Sequence, residues 1–490
     1  MSMKEIASWV LNVCRVRGVQ FADCRVVDER QRALATKNGK IGHVADSQSL
    51  GIGIRVLADG AWGFAATDDL SRSGVETTAG EAVEIARASA MVKQHDVRLA
   101  PEKAYVDDWT SPCQIDPFSI SVEQNLDLLM KIDAEMRAVK GVTLAETNMN
   151  FRRYEQWYYS SDGSDIHQVK YTTGVGYAAY SFAGSEIMKR SYPTSFGGQW
   201  QDKGYELIHE FKLVENARRI AEESVALHKA DQCPEGKFDI ILDSSQLGLQ
   251  IHESVGHPIE LDRVLGMEAN FAGTSFLTLD KLRKLKYGSE LVNVVADATP
   301  QHGPGLGTFK YDDEGVPAQC TPIISHGLFT GYLTSRETAA MVGLERSGGT
   351  VRGEGWNRLP MIRMTNVSIL PGEKKLSPDE LIASTDHGIF FQTNRSWSID
   401  DKRYNFQFGT EMGWEIKGGK LGRMLKNPSY SGITTEFWNS MDAICSREHW
   451  TLWGTPNCGK GQPQQVMGTG HGASPARFRG VKVGTAYKGN

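Results

Sequence analysis

The sequence predicts an α+β protein with two structurally different parts. Residues 1–231 mix helical patterns with strands joined by tight turns, which favours an α+β unit with an antiparallel sheet and flanking helices. Residues 232–490 are richer in glycine, aromatic residues and strand patterns, which indicates a mostly β unit around one histidine-containing helix. At 490 residues the chain also exceeds the roughly 250–300 residues that one hydrophobic core serves.

Hydrophobic periodicity and turn signals predict the elements of the N-terminal part. The dipeptides Asn38-Gly39 and Asp59-Gly60 are strong hairpin signals and separate the first strands. Three prolines and few periodic apolar residues in 96–118 predict a connector, which is a possible sub-boundary. The expected elements are an amphipathic helix in 1–18, strands at 21–27, 32–36 and 51–65, helices at 75–93 and 121–139, strands within 142–197, and one long helix over 203–229.

A short linker precedes the C-terminal part. Residues 232–236 contain proline and glycine, and they set the predicted domain division at 231/232. An apolar strand at 238–242 then leads into the histidine-containing helix. Further strands are expected within 319–333, 361–370, 388–392 and 404–416.

Composition excludes several classes of protein. A net charge of -5 gives no basic footprint for nucleic acid and no polybasic patch for a membrane. The sequence has no apolar stretch near the ~20 residues that a transmembrane helix needs, and its first 18 residues lack the apolar core of a signal peptide. The seven cysteines are scattered without a CxxC pair, which predicts reduced thiols in a cytoplasmic protein.

The pattern His252-Glu253-x-x-x-His257 is the main candidate for chemistry. Zinc peptidases commonly carry two histidines four residues apart, about 40° apart around an α-helix. A spacing of five puts them about 140° apart on a regular helix, so one ion could not bind both. A π-bulge would restore a common face, and Gly256 and Pro258 favour irregular backbone there. Without further support, the pattern also occurs by chance around structural histidines.

A catalytic zinc takes three protein ligands and one open position for water. Glu260 and Asp262 are candidates for the third ligand because they follow His257 closely. Cys458 is a stronger candidate, since it lies in a glycine- and proline-rich segment that predicts a tight loop. Lys460 beside it would favour the thiolate form of the cysteine. The alternative is an ordinary surface cysteine.

These motifs resemble those of the TldD/PmbA metallopeptidases, once called modulators of DNA gyrase, and in particular the metal-carrying TldD-type subunit. The similarity covers roughly residues 50–484. It rests first on the paired segments 251–258 and 457–463, which are highly specific together. Further matching segments are 468–472, 311–315, 356–358, 364–366 and 59–65.

The resemblance implies one Zn²⁺ per chain held by His252, His257 and Cys458, with Glu253 as the catalytic glutamate. It implies hydrolysis of short or unfolded peptides in an enclosed site, with Glu253 activating a zinc-bound water. It also implies a dimer, formed either with a second copy or with a TldE/PmbA-type sister subunit that lacks the metal motif.

Two other functions stay open at this stage. A non-catalytic scaffold subunit would keep the fold but would not need Glu253 beside a metal ligand. A metal-dependent amidase acting on a small molecule would use the same residues. Three further histidines, His302, His326 and His471, are weaker candidates for stabilising the oxyanion, because each fits a structural or surface role.

Overall fold

The computed structural model describes residues 2–485 and confirms the α+β class. Its N-terminal part is built on one eight-stranded sheet in which the long strands run in the order β3-β2-β1-β5-β6-β4, with β7 and β8 also paired to β6. The strands are β1 Phe21–Lys37, β2 Lys40–Ala58, β3 Ala61–Thr67, β4 Val106–Thr110, β5 Val142–Ser160, β6 Asp165–Ala183, β7 Glu186–Tyr192 and β8 Gln199–Gln201.

Both predicted hairpin turns are present. Asn38 and Gly39 have φ of 49° and 73°, and Asp59 and Gly60 have φ of 51° and 73°. Two successive positive φ values match the twist of the flanking strands, which is why these dipeptides close hairpins. The prediction of two short strands within 21–36 was wrong: β1 is one continuous strand, because β2 and β5 pair with it on both sides along its length.

Helices cover this sheet at two places. The first two helices bury apolar residues against β1 and β2, and two later helices, over residues 122–137 and 213–226, pack over β5 and β6. The helices of the chain are α1 Met3–Val16, α2 Arg72–Ala90, α3 Val122–Arg137, α4 Glu206–Glu210, α5 Leu213–Ala226, α6 Ser244–Ile251, α7 Leu261–Val264, α8 Ala269–Ala272, α9 Arg336–Met341, α10 Pro378–Ala383 and α11 Thr434–Asn439.

Two N-terminal expectations need correction. The long helix predicted over 203–229 is interrupted between α4 and α5, where Lys212 has φ of 41° and cannot continue a right-handed helix. The predicted connector at 96–118 contains β4, which pairs in parallel with β6. Its five residues are too few and too exposed to show a hydrophobic period.

The C-terminal part is mostly β, as expected, and has three sheets. In the largest, strands pair in the order β17-β10-β24-β20-β18, and a further pairing of β17 with β18 closes this path into a ring. The strands are β9 Asp231–Gln232, β10 Gly236–Leu242, β11 Val294–Asp297, β12 Cys320–Ser325, β13 Leu328–Phe329, β14 Val351–Arg352, β15 Met361–Ile362, β16 Asn366–Ile369, β17 His387–Ile399, β18 Asn405–Lys417, β19 Lys420–Lys426, β20 Pro428–Ile433, β21 Met441–Ile444, β22 Thr451–Lys460, β23 Gln465–Ala473 and β24 Ala476–Thr485.

The helix α6 lies between two of these sheets. It follows β10 of the ring and also contacts β17, while its other neighbours β16, β22 and β23 belong to the six-stranded sheet β13-β12-β11-β16-β23-β22. Its residues Leu247 and Ile251 belong to a large apolar cluster that also includes Leu242, Val367 and Phe391 of the neighbouring strands. Because a helix enclosed on all sides is held by its neighbours, residues that it carries are placed rigidly.

Buried ion pairs join the two parts of the chain. Arg25 of β1 bonds Asp313 at 2.9 Å, and Arg55 of β2 bonds Glu314 at 3.0 Å. The same Arg55 pairs with Asp23. These contacts account for Asp313 and Glu314, whereas the adjacent Asp312 accepts hydrogen bonds from backbone N–H groups, including that of Val351 at 3.0 Å. The predicted division at 231/232 and the sub-boundary at 96–118 stay predictions.

Within residues 2–485, no helix has the length and apolarity to cross a membrane. All seven cysteines are free thiols.

Candidate metal centre

The histidine motif lies where the α-helix changes into a π-helical turn. Helix α6 is capped by Asp243, which accepts a hydrogen bond of 2.7 Å from the Gln246 N–H. His252–Gly256 then form a π-helix, and the His257 N–H donates to the carbonyl of His252, five residues earlier. This confirms the distortion predicted from the five-residue spacing. It brings the two imidazole centroids to 4.8 Å.

Side chains from outside the helix stabilise this turn. The Tyr287 hydroxyl donates to the Ser254 carbonyl, and Trp438 Nε1 donates to Ser254 Oγ at 3.0 Å. Both contacts are buried, and the Tyr287 contact supplies a donor to a backbone carbonyl of the irregular turn.

Gly256 has a different role from the one predicted. Its φ of -61° is ordinary helical backbone, so the position does not need glycine's conformational freedom. A Cβ atom there would instead lie 2.1 Å from Met364 Sδ. Glycine is required because Met364, which is fully buried, packs directly against the helix backbone.

The structure brings His252, His257 and Cys458 together. One candidate ligand atom from each lies within 4.8 Å of the others, and the three residues are only 3–4% exposed. His257 Nε2 and Cys458 Sγ are 3.8 Å apart. Tetrahedral zinc with ordinary Zn–N and Zn–S bonds would set this separation at about 3.6 Å. The donor set and its spacing therefore fit a zinc ion.

Cys458 reaches the cluster from a strand and not from the predicted loop. It lies in β22 and pairs with Met467 of β23, next to an irregularity in register between Thr455 and Cys458. Burial raises the pKa of its thiol, but nearby His257 and Arg363 outweigh that effect, so the net pKa lies below its ordinary value. The site therefore favours a thiolate.

Lys460 does not contribute to the thiolate as predicted. It is fully buried, and its Nζ lies 2.7 Å from Asp262 Oδ1 and 3.3 Å from Glu260 Oε1. These two acids, considered from sequence as third ligands, are instead partners of Lys460. Glu260 Oε2 also accepts from His257 Nδ1 at 3.0 Å, which leaves Nε2 of that histidine bare and facing Cys458.

His471 fixes the orientation of His252. Its Nδ1 donates to the Val367 carbonyl at 2.9 Å, because a carbonyl can only accept. Burial holds the pKa of His471 well below its ordinary value, so the ring is neutral and Nε2 is an acceptor. His252 Nδ1, 2.7 Å away, must then be the donor, and its own Nε2 is left free as a ligand atom. His471 thus acts behind the cluster and not as an oxyanion donor.

Glu253 lies beside the cluster and forms an ion pair. Its Oε2 is 2.6 Å from Nη1 of Arg403, a residue at the end of the β17–β18 hairpin that sequence reasoning missed. No local motif marks Arg403, since it is 150 residues from Glu253 in the chain. Both residues line a cavity of about 230 Å³ together with Phe196, Leu249, His252, His257, Trp397, Thr455, Asn457, Cys458 and Gly459.

The remaining candidate histidines are not part of this cavity. His302 is exposed and bonds Asp297, and His326 lies in a turn with φ of 47°. The structure assigns both to the surface of the C-terminal part.

Comparisons with known proteins agree with this architecture. Models of three PmbA/TldA metallopeptidase domains match the chain: domain 1 over residues 22–86, the central domain over 115–226 and the C-terminal domain over 235–485. The last segment contains the whole histidine and cysteine cluster.

Relatives extend over nearly the full chain. A metalloprotease from Methanocaldococcus jannaschii is 30% identical over 92% of this chain and 95% of its own length. A zinc metalloprotease TldD homolog from Saccharolobus solfataricus is 23% identical over 87% of this chain and 89% of its own. The structure of TldE from Thermococcus kodakarensis shares the fold, with a TM-score of 0.71 at 16% identity over 98% of this chain and 99% of that one. By these matches the chain belongs to the PmbA/TldD metallopeptidase family, as its motifs predicted.

Proposed function

We propose that this protein is a zinc-dependent peptidase with one zinc ion bound by His252, His257 and Cys458 and with Glu253 as the base. The observation that supports it most is the close grouping of two bare imidazole nitrogens and a thiolate-favouring cysteine within 4.8 Å. The names of the relatives, metalloprotease and zinc metalloprotease, support the same assignment.

Zinc in this site would supply Lewis acidity, polarising a water molecule and the scissile carbonyl. The protein's own groups account for the rest. Glu253 would remove a proton from the water and deliver it to the leaving amine. His471 and Glu260 would hold His252 and His257 in the tautomers that present Nε2 to the cavity.

The shape of the cavity favours short or unfolded peptides as substrates. Its volume is about 230 Å³, and the three proposed ligands are almost completely buried. A folded protein could not bring a peptide bond to them, whereas an extended segment could.

We propose that the protein is a cytoplasmic dimer, either of two copies or with a TldE/PmbA-type sister subunit. The shared fold with TldE supports the proposed pairing of two chains of this family.

Zinc content and hydrolysis of an unstructured peptide would test the proposal. The purified protein would be compared with Glu253→Ala and Cys458→Ala. We expect about one zinc per chain in the wild type and in Glu253→Ala, less in Cys458→Ala, and little activity in either variant. As a matched control, Cys445→Ala removes a buried thiol that does not line the cavity and belongs to a different apolar cluster from Cys458, so it should keep both properties if it folds.

Other outcomes would select other functions. Activity that survives in Glu253→Ala would contradict the peptidase mechanism. Zinc binding without any hydrolysis, even with a sister subunit present, would favour a scaffold role. A series of peptides of increasing length would distinguish a peptidase from a metal-dependent amidase, because an amidase for small molecules would prefer the shortest substrates.

A further inference from the structure

Arg403 is held at the cavity wall by a rigid turn. Its φ of 65° is unusual for a residue with a side chain and costs about 1 kcal/mol or more. The turn persists because its neighbours fix it: the Arg403 N–H donates to the Asp400 carbonyl at 2.9 Å, and Thr434 Oγ1 donates to the Arg403 carbonyl at 3.0 Å. These two contacts therefore fix the backbone from which the guanidinium extends.

The guanidinium has donors beyond those that Glu253 uses. One nitrogen, Nη1, bonds Glu253 Oε2, while Nε is buried and has no hydrogen-bond partner among residues 2–485. A guanidinium carries five N–H donors, and burying one without an acceptor is costly. Because Nε is buried, an oxygen atom that enters the cavity could reach only the remaining N–H donors on Nη1 and Nη2.

The position of this oxygen follows from the cavity. Arg403, Glu253 and the proposed zinc ligands line the same space of about 230 Å³. A peptide carbonyl bound there would lie beside this ion pair, within reach of both the base and the remaining donors of the guanidinium. The ion pair engages Oε2 of Glu253, and the carboxylate keeps lone pairs on both oxygens with which it can accept a proton.

We propose that Arg403 is a second catalytic residue, whose guanidinium binds the scissile carbonyl oxygen and stabilises the negative charge that develops on it. This inference rests on the proposed peptidase function. Preorganised donors at a developing oxyanion are effective in a buried cavity, since few water molecules compete with them.

The step balances without any further reactant. The water oxygen bonds to the carbonyl carbon, the π-electron pair moves onto the carbonyl oxygen beside Arg403, and one water proton passes to Glu253. On collapse that electron pair re-forms the carbonyl, the C–N bond breaks, and the proton on Glu253 goes to the leaving nitrogen.

Kinetics and inhibitor binding of Arg403→Ala and Arg403→Lys would test the role. We expect kcat to fall about 100- to 1,000-fold in Arg403→Ala, with KM changed less than about threefold and zinc content unaltered. A phosphonate peptide, which carries negative charge where the oxyanion forms, should lose affinity in proportion to kcat/KM. Lys402→Ala, which removes an exposed cation from the same turn, should match the wild type.

Two results would overturn the inference while leaving the peptidase function intact. One is a kcat within about threefold of the wild type in Arg403→Ala while Glu253→Gln is inactive. The other is a large loss of kcat with unchanged phosphonate affinity, which would make Arg403 a positioning residue for Glu253 alone. A zinc-loaded wild type that hydrolyses no peptide would instead overturn the proposed function and this inference together.

Discussion

His257 and Glu260 are linked by a hydrogen bond of 3.0 Å between Nδ1 and Oε2, three residues apart where the π-helical turn ends. The same carboxylate pairs with Lys460, and Arg263 lies 3.8 Å from it. All these groups are buried. The proposed ligand His257 is thus attached to a network of charges, and its orientation depends on that network.

Removing the Glu260 carboxylate should weaken zinc binding. Glu260→Gln keeps an acceptor for His257 Nδ1 but loses the charge, and we expect about a tenfold loss of zinc affinity, with Glu260→Ala nearer 100-fold. Glu260→Ala should also lower the free energy of unfolding by about 3–5 kcal/mol, because it leaves buried cations with fewer partners. Competition with a chelator measures the first effect and urea unfolding the second.

An exposed acid provides the control for this prediction. Glu345→Gln makes the same chemical change at the surface and should alter neither quantity. Unchanged zinc affinity in Glu260→Ala would show that His257 does not need the carboxylate.

Replacing His471 should disturb His252. His471→Phe keeps the ring volume but removes the acceptor for His252 Nδ1, so the ring of His252 loses its fixed tautomer. We expect zinc affinity to fall about 10- to 100-fold with the fold retained. His302→Phe, at an exposed histidine, is the comparison. Equal zinc affinity in both variants would contradict the proposed tautomer.

Stability should depend on pH through Glu268. Burial, and the nearby Glu260 charge, raise the pKa of this carboxyl from 4.5 to about 7. Between these values the unfolded chain loses the proton while the folded protein keeps it, so the contribution of Glu268 to stability is greatest below about 4.5 and falls as pH rises to about 7. The difference between the two pKa values corresponds to a loss of about 3 kcal/mol.

Glu268→Gln should flatten this dependence. Urea unfolding of the wild type and the variant from about pH 4.5 to about pH 7.5 would measure the pH dependence of the free energy of unfolding. Both proteins are used metal-free, because metal binding itself depends on pH. Parallel curves for the two proteins would show that Glu268 does not titrate in this range.

Gly256→Ala should destabilise the turn that carries His257. The added methyl group would overlap Met364 Sδ, and overpacking of this kind costs about 1–3 kcal/mol. Gly459→Ala is a matched control beside Cys458, because its Cβ would meet nothing within 4 Å. Thermal unfolding and zinc titration of both variants would show whether the close contact with Met364 is needed.

The sequence by itself determined the local features of this protein. The dipeptides at 38–39 and 59–60 close hairpins because their positive φ values are a property of those residues. The five-residue spacing of His252 and His257 required a π-helical turn if both were to face one ion, and the turn is there. Helical periods and tight-turn signals in residues 1–231 indicated the α+β class, because both are local patterns of residue types.

Only the tertiary structure decided what surrounds the cluster. Cys458 lies in a strand beside His257, His471 lies behind His252, and Arg403 lies against Glu253. In each of these three pairs the two residues are between 150 and 219 positions apart in the sequence. Periodicity and turn preferences extend over only a few residues, whereas these contacts depend on sheet pairing and on the burial of charge. Where a buried group finds its partner is therefore settled by the packing of β22, β23 and the β17–β18 hairpin around one helix.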